Sequence, residues 1–327
     1  MPSLHDALTG VWRKRGIVSL ALWPLSLVYR SAMALRTFAY HSGLFKMHRF
    51  DVPVVVVGNI SVGGAGKTPV VAAIACTLRE WGWSPGIVSR GYGSRAEHSP
   101  QAVTAASSPE RVGDEPVLLA RRTRCPVLVG PDRPAAVRQL LAENDCNIVI
   151  SDDGLQHLAL WRDIEVAVVD SEAGFGNGFC LPAGPLREPV ARLEGVDFVI
   201  SNGKPGRGFQ CTLEGDSATN LVNTEARKPL ANFNHHTVHA VAGIGRPVRF
   251  FDHLRRSGIR PVEHPFPDHY RFCATDLAFA GNEDILMTEK DAVKCESFAR
   301  DNMWYVPVDA ILDPAFYNEL VERLRNL

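Results

Sequence analysis

The chain reads as an α/β protein: a mostly parallel sheet domain, then a second, smaller α/β domain, with a membrane-associated helix ahead of both. Three observations predict this. From Asp51 onward, short β-branched runs such as Val54-Val55-Val56-Val57 alternate with stretches of helical periodicity. Continuous apolar strands alternating with helices mean a parallel sheet covered on both faces. The turn-rich stretch Gly203-Lys204-Pro205-Gly206-Arg207-Gly208 breaks that rhythm, and a second alternation follows it. Ahead of Asp51 the chain is basic, aromatic and apolar, unlike the rest. The expected units are 1–50, 51–202 and 235–327, with 203–234 as a linker; 327 residues leave room for them.

In the first segment, Arg13-Lys14-Arg15 precede an uncharged run from Ile17 to Val28, interrupted by Pro24 and ended by Arg30. Ala32-Met33-Ala34 resembles a signal-peptidase site. The region before the run is long and carries Asp6, so cleavage is not expected. The run is also short for a spanning helix, which needs about 20 apolar residues. Val28, Leu35 and Phe38 recur at helical spacing among Arg36, Lys46, His48 and Arg49, with Trp12, Trp23, Tyr29 and Tyr40 interleaved. That mixture suits a helix lying in a bilayer interface beside anionic lipid. A helix packed on the protein's own core carries the same spacing.

The strands that follow are expected at 52–57, 86–89, 126–129, 147–151, 164–170 and 197–201. Helices are expected at 68–81, 115–122 and 133–143. The last has Asp132 as its N-cap and Pro134 in its first turn. In the second unit, strands fall near 237–242, 284–288 and 304–308, and helices near 247–256, 289–298 and 315–325.

A net charge of −1 gives no support to nucleic-acid binding, which favours basic stripes. Seven cysteines without a CxxC indicate neither a zinc site nor a disulfide framework. His235, His236 and His239 flank a strand, and no Cys or carboxylate completes a ligand set there.

The chemistry begins where Val54–Val57 runs into Gly58-Asn59-Ile60-Ser61-Val62-Gly63-Gly64-Ala65-Gly66-Lys67-Thr68 and a helix. Strand, glycine-rich loop and helix are the context of a P-loop. Glycines let backbone N–H groups converge on phosphate oxygens, and the helix N-terminus faces the same anion. The expected nucleotide-binding residues are Ser61, Val62, Gly63, Gly64, Ala65, Gly66, Lys67 and Thr68. Lys67 reaches the β- and γ-phosphates and the Thr68 hydroxyl ligates Mg²⁺. Ser61 stands where the motif usually opens with Gly. Asn147 to Asp153 is an apolar strand ending in two carboxylates, a Walker B pattern. Gly174, Gly176 and Gly178 are spaced GxGxG and lead into prolines, which discounts a dinucleotide fingerprint. No Asn-Lys-x-Asp guanine-reading motif is present, so ATP is the expected nucleotide.

Together these segments resemble tetraacyldisaccharide 4′-kinase, the lipid A 4′-kinase family of Gram-negative bacteria. The resemblance covers nearly the whole chain. It rests on the P-loop, Ser89-Arg90-Gly91-Tyr92-Gly93, Gly113-Asp114-Glu115-Pro116, Asp152-Asp153-Gly154-Leu155-Gln156-His157 and Leu181 to Pro189. In the second unit it rests on Phe266-Pro267-Asp268-His269-Tyr270 and Thr288 to Lys294. It implies transfer of the ATP γ-phosphate to the 4′-hydroxyl of an acylated glucosamine disaccharide 1-phosphate. It also implies peripheral work at the cytoplasmic face of the inner membrane. Asp114 sits where the family's general base sits, and His269 where its assisting histidine sits. Thr68, Asp153 and Glu188 are the expected Mg²⁺ ligands. Tyr92, Gln156, His157 and Arg187 are further site residues without an assigned role. Two other readings stay open: a P-loop ATPase used as a switch or assembly factor, and a membrane scaffold whose nucleotide is structural.

Overall fold

Period-two alternation in one strand sets the layering of the first unit. In the computed structural model, which describes residues 10–91 and 99–327, the first elements are α1 (Ile17–His41), β1 (Val54–Gly58), α2 (Lys67–Glu80), β2 (Pro85–Ser89) and β3 (Gln101–Val103). There follow α3 (Pro109–Val112), α4 (Asp114–Thr123), β4 (Val127–Val129), α5 (Arg133–Glu143), β5 (Ile148–Asp152), β6 (Ile164–Asp170), β7 (Phe198–Asn202) and β8 (Phe209–Glu214). Val55 and Val57 face one apolar layer with Val70, Ile74 and Leu78 of α2. Val54 and Val56 face the other, with Val137 and Leu140 of α5 and Leu155. Full burial of such a side chain contributes about 1.5–3 kcal/mol, so both faces must stay covered.

The second unit holds β9 (Ser217–Asn220), β10 (Arg227–Pro229), β11 (Val238–Ala242), α6 (Pro247–Arg256), β12 (Val262–Pro265), β13 (Asp284–Thr288), α7 (Glu289–Cys295) and β14 (Met303–Val306). The chain ends in β15 (Asp309–Leu312) and α8 (Pro314–Arg325). Among the described residues the large sheet runs β15-β8-β7-β6-β1-β5-β2-β4-β3 and the smaller one β10-β9-β14-β13-β11-β12. From β8 to β4 the large sheet is parallel, and antiparallel strands close both edges. The smaller sheet is parallel from β12 to β14.

The structure differs from the expected boundaries at two places. The segment 203–234 carries β8 of the large sheet and β9 and β10 of the smaller one. The C-terminal strand and helix return to the first unit: β15 pairs with β8, and Phe316, Leu320 and Leu324 enter the layer above Val55 and Val57. Helical periodicity in 315–325 identifies an apolar face but not the sheet that covers it.

Helix α1 is longer than its uncharged run, because Arg30 and Arg36 are taken up within it rather than ending it. With 25 residues it is long and apolar enough to cross a membrane by length and composition, which corrects the expectation that it is too short. Its polar side faces the protein. Ser26 Oγ donates to Cys180 O at 2.8 Å, Tyr29 Oη to Arg187 O at 3.0 Å and Arg36 Nη1 to Gln156 O at 3.0 Å. Ile17, Leu20, Val28, Leu35 and Phe38 point outward and are exposed. The glycines at 174, 176 and 178 take positive φ in a turn that receives the N-terminal segment; a Cβ on Gly176 would lie 2.6 Å from Trp12 O.

Candidate active site

In each sheet, strand order reverses around one strand: β1 at the centre of the large sheet, and β11, flanked by β12 and β13, in the smaller. Ligands of open parallel sheets bind outside the carboxyl ends of strands at such a switch point. The loop after β1 is the glycine-rich segment. The loop after β11 is Gly243-Ile244-Gly245-Arg246, which leads into α6. The two loops meet. A Cβ built on Gly245 would lie 2.9 Å from Gly64 N and 3.3 Å from Asp268 Oδ2. Glycine is required there by close approach of two backbones.

The phosphate loop is held from three sides. Gly66 caps α2 with φ of 83°, and a Cβ there would meet Asn202 Nδ2 at 2.2 Å. Asn202 Nδ2 donates to Ala65 O at 2.9 Å. At the loop's start, Val62 N donates to Pro185 O at 2.8 Å and Arg187 N to Ile60 O at 2.7 Å. This zips Ser61 against the Leu181–Pro189 segment, which explains why Arg187 and Glu188 arrive beside the loop. The buried Asn59 accepts from Lys67 Nζ through Oδ1 at 3.1 Å. The first N–H groups of a helix have no partner within it, a geometry that suits an anion, and Thr68 stands in the first turn of α2.

Lys67 Nζ also lies 3.3 Å from Asp153 Oδ1, and Arg187 Nη1 lies 3.1 Å from Asp153 Oδ2. Burial alone would raise the Asp153 carboxyl, but Lys67 and Arg187 outweigh it and hold it at about 2. Asp153 has φ of 49°, a left-handed value that is strained for a side chain other than glycine. Gln156 Nε2 donates to Glu188 Oε1 at 2.6 Å and to Asn59 O at 3.1 Å, and Glu188 pairs with Arg192 at 3.2 Å. Next to them, burial pushes the Asp152 carboxyl up to about 7, helped by Glu115 and Asp153. Its Oδ1 is buried and unpartnered. Burial and the charges of Arg133 and Arg90 push the His157 imidazole down to about 4, so its ring is neutral near neutral pH.

The second cluster spans the junction of the units. Asp114 opens α4 and is buried, and its Oδ2 lies 3.3 Å from His269 Nδ1. His269 has φ of 57°. Burial would raise the Asp114 carboxyl, but the His269 hydrogen bond and the Lys290 charge hold it well below the usual range. Burial would lower the His269 imidazole; the hydrogen bond to Asp114 reverses this and raises it. An ionised carboxylate backed by an imidazole is a proton acceptor.

The expected residues thus form two groups: Lys67, Asp153, Gln156, Arg187 and Glu188 in one, Asp114 and His269 in the other. Gly64, Gly245 and Asp268 join them. Tyr92 lies outside the described residues. Residues given no role from sequence include Asn59, Asn202, Lys290, Arg246 at the N-cap of α6 and Arg249 within it. Arg246 and Arg249 reach Asp170 Oδ2 at 2.5 and 3.3 Å, and Arg249 Nη2 donates to Asn202 Oδ1 at 3.2 Å. Their one sequence signal is the Gly-x-Gly turn between β11 and α6, which parallels the P-loop's own position.

Over residues 18–325 the chain matches the family model LpxK, tetraacyldisaccharide-1-P 4′-kinase. Tetraacyldisaccharide 4′-kinase of Nitrosococcus oceani is 51% identical over 304 residues, covering 93% of this chain and 90% of the relative. The protein of that name from Pseudomonas paraeruginosa is 46% identical over 330 residues, 99% of each chain. The crystal structure of "apo" form LpxK from Aquifex aeolicus in complex with ATP superposes with a TM-score of 0.79. That pair is 28% identical, and the match covers 94% of this chain and 99% of that one. Similarity in sequence and fold along nearly its full length assigns the chain to the tetraacyldisaccharide-1-P 4′-kinase family.

Proposed function

We propose that the chain is an ATP-dependent kinase that transfers the γ-phosphate to the 4′-hydroxyl of an acylated glucosamine disaccharide 1-phosphate, a step of lipid A biosynthesis. The observation that carries this reading is the approach of the phosphate loop, at Gly64, to Gly245 and Asp268 of the second unit, next to the His269 that pairs with Asp114. One group binds the donor; the other takes the acceptor's proton. Lys67 and the loop N–H groups of residues 61–68 bind the phosphates, and Arg187 steadies the same charge.

Magnesium is the expected companion of ATP. The site's donors are hydroxyl and carboxylate oxygens, which suit that hard cation, and the buried, unpartnered Asp152 Oδ1 is a further oxygen of the same kind. Thr68, Asp153 and Glu188 would hold the ion, which neutralises charge on the β- and γ-phosphates when bound. Asp114 accepts the hydroxyl proton as the new O–P bond forms, and His269 orients that carboxylate.

A groove of about 1090 Å³ lies between α1 and the Arg187–Arg192 segment, lined by Leu27, Met33, Phe38, Leu158, Arg187 and Arg192. Apolar walls beside arginines suit an acylated, phosphorylated sugar, and the groove ends at the site's own Arg187 and Glu188. Incubation with γ-labelled ATP, Mg²⁺ and an acylated disaccharide in detergent tests the reading. Labelled lipid is expected; label released only as free phosphate overturns it in favour of an ATPase.

We propose that the enzyme works as a peripheral protein at the cytoplasmic surface of the inner membrane, a reading supported by the outward apolar face of α1. Interfacial binding scales with buried apolar area and attraction to anionic lipid. The double substitution Val28→Glu with Leu35→Glu leaves the Ser26, Tyr29 and Arg36 contacts in place. It is expected to weaken co-sedimentation with anionic vesicles about tenfold or more, with activity toward detergent-dispersed substrate retained. Equal pelleting of both proteins overturns the membrane reading.

A further inference from the structure

The segment Thr288 to Lys294 has no part in the reaction as described so far. It opens α7, where the Thr288 side chain caps Asp291 N at 3.2 Å. The cap aims Lys290 across the junction. Its side chain is 15% exposed, and Nζ lies 2.9 Å from Glu115 Oε1, 3.2 Å from Asp268 Oδ1 and 4.0 Å from Asp114 Oδ2. Burial would lower this ammonium, but Glu115, Asp114 and Asp268 outweigh it and keep it charged. The same Nζ lies 3.4 Å from His269 Nε2.

An ammonium has donors only and no acceptor. The ring nitrogen 3.4 Å from it can bond to it only as an acceptor, and the Asp268 Oδ1 that also faces this nitrogen is farther away, at 3.8 Å. The proton of the neutral imidazole then sits on Nδ1, which is the nitrogen 3.3 Å from Asp114 Oδ2. The second ring nitrogen's partner sets which tautomer a histidine adopts.

We propose that Lys290 is a positioning residue: it holds His269 in the tautomer whose Nδ1–H donates to Asp114, and so assembles the proton-accepting pair across the two units. The proposal rests on the reading of Asp114 as the base. Asp114 faces His269 from α4, Asp268 from its own loop at 3.8 Å, and Lys290 from α7, while Glu115 of α4 pairs with Lys290. Lys294 Nζ lies 3.9 Å from Asp114 Oδ2 on the far side. A cation at Nε2 opposes a second proton on the ring. Without it, the two carboxylates of Asp114 and Asp268 face the imidazole and favour imidazolium, which lowers the basicity of the Asp114 carboxylate.

The test uses the full chain in detergent with ATP, Mg²⁺ and acylated disaccharide. It measures kcat against pH for wild type, Lys290→Met and Lys290→Arg, with melting temperatures. In Lys290→Met the acid limb is expected to move up by about one unit or more, as for loss of an opposite charge within about 4–6 Å. The rate near pH 7 then falls about tenfold and recovers toward about pH 9. Lys290→Arg, which keeps the charge, is expected to return the limb toward wild type. A uniform loss with the limb unmoved overturns the proposal. Asp114→Asn separates the two layers. If that variant is inactive while the Lys290→Met limb stays put, the Lys290 proposal alone falls; if it is active, the base reading falls and takes this proposal with it. Nitrogen NMR of wild-type protein carrying isotope-labelled histidine reads the tautomer directly, even if Lys290→Met does not fold. A proton on Nε2 of His269 overturns the proposal.

Discussion

Replacing Lys67 with alanine is expected to lower kcat by about 100-fold or more, because phosphoryl transfer depends on positioned charge rather than on covalent chemistry. Lys67 sits at the first position of α2, where its ammonium and the helix N-terminus address one anion. Lys67→Arg is not expected to rescue, since the planar guanidinium does not fit the space between Asn59 Oδ1 and Asp153 Oδ1 that the compact ammonium fills. The substitution also leaves a mark on stability. Asp153 is depressed in the folded state, so its contribution is present above the unfolded value of about 3.9 and is lost as pH falls through about 2. Alanine at 67 removes one of the two cations that depress it. Acid unfolding of the variant is therefore expected to begin at higher pH than in wild type, while near neutral pH Arg187 still pairs the carboxylate. Turnover at half the wild-type rate would remove the phosphate site from the mechanism.

The parallel core of the fold was legible because its strands are buried on both faces and must be apolar throughout. Val54-Val55-Val56-Val57 and Val166-Ala167-Val168-Val169 announce themselves this way, and Asp132 marks the start of α5 without ambiguity. The edges were not legible for the opposite reason. β8 is Phe209-Gln210-Cys211-Thr212-Leu213-Glu214, of which only Cys211 is fully buried. β10, Arg227-Lys228-Pro229, is exposed throughout. Such strands need only satisfy backbone hydrogen bonds, and residue types barely constrain that. Without them, 203–234 reads as a linker, β15 goes unread and the chain's last helix seems to stay in the second unit. The return of β15 to β8 is a contact between distant segments, which no local pattern encodes.

At the site, the phosphate loop was legible because its chemistry is local: glycines, Lys67 and Thr68 act within one turn of chain. The pair Asp114 and His269 was reached through the family resemblance. On sequence alone Asp114 is an ordinary first-turn acid, and in the structure Asp114 Oδ1 does accept from Glu115 N at 2.9 Å. What distinguishes it is the company brought from a segment more than 150 residues away in sequence. Lys290 lies in the Thr288 to Lys294 stretch that carries the resemblance, but no role was legible for it, since a lysine in a charged first turn reads as solvated. Backbone geometry would have flagged part of this. Among the described non-glycine residues, positive φ occurs at Asp153, His269 and Arg124, and Arg124 only ends a helix. Strain of that kind persists where the surroundings impose it.

Asp114→Asn is expected to lower kcat by about 100-fold or more, as for loss of a general base. A sugar hydroxyl has a very high pKa, so its proton must leave as the O–P bond forms. Asparagine keeps the size and the Oδ1 acceptor for Glu115 N, but it has no basicity. On the proposed reading the imidazole orients the carboxylate and does not itself take the proton, so His269→Ala is expected to lose less. The double variant is then expected to lose less than the product of the single losses, since groups acting as one unit are non-additive. Melting temperature separates this from a cap that merely holds α4. Asp114 is buried beside His269, Lys290 and Lys294, so asparagine leaves those cations less compensated. The loss stays near about 1–2 kcal/mol because Lys290 keeps Glu115 and Asp268, and Lys294 keeps Asp291. Its pH dependence has a definite sign. A depressed carboxyl stabilises the fold above its unfolded value of about 3.9 and ceases to do so as pH falls below it. Wild type and Asp114→Asn should therefore differ in melting temperature near neutral pH and converge in acid. If kcat per folded molecule is unchanged while the melting temperature drops, Asp114 is a structural acid at the head of α4. The junction of the two units would then hold the phosphate donor without supplying the base.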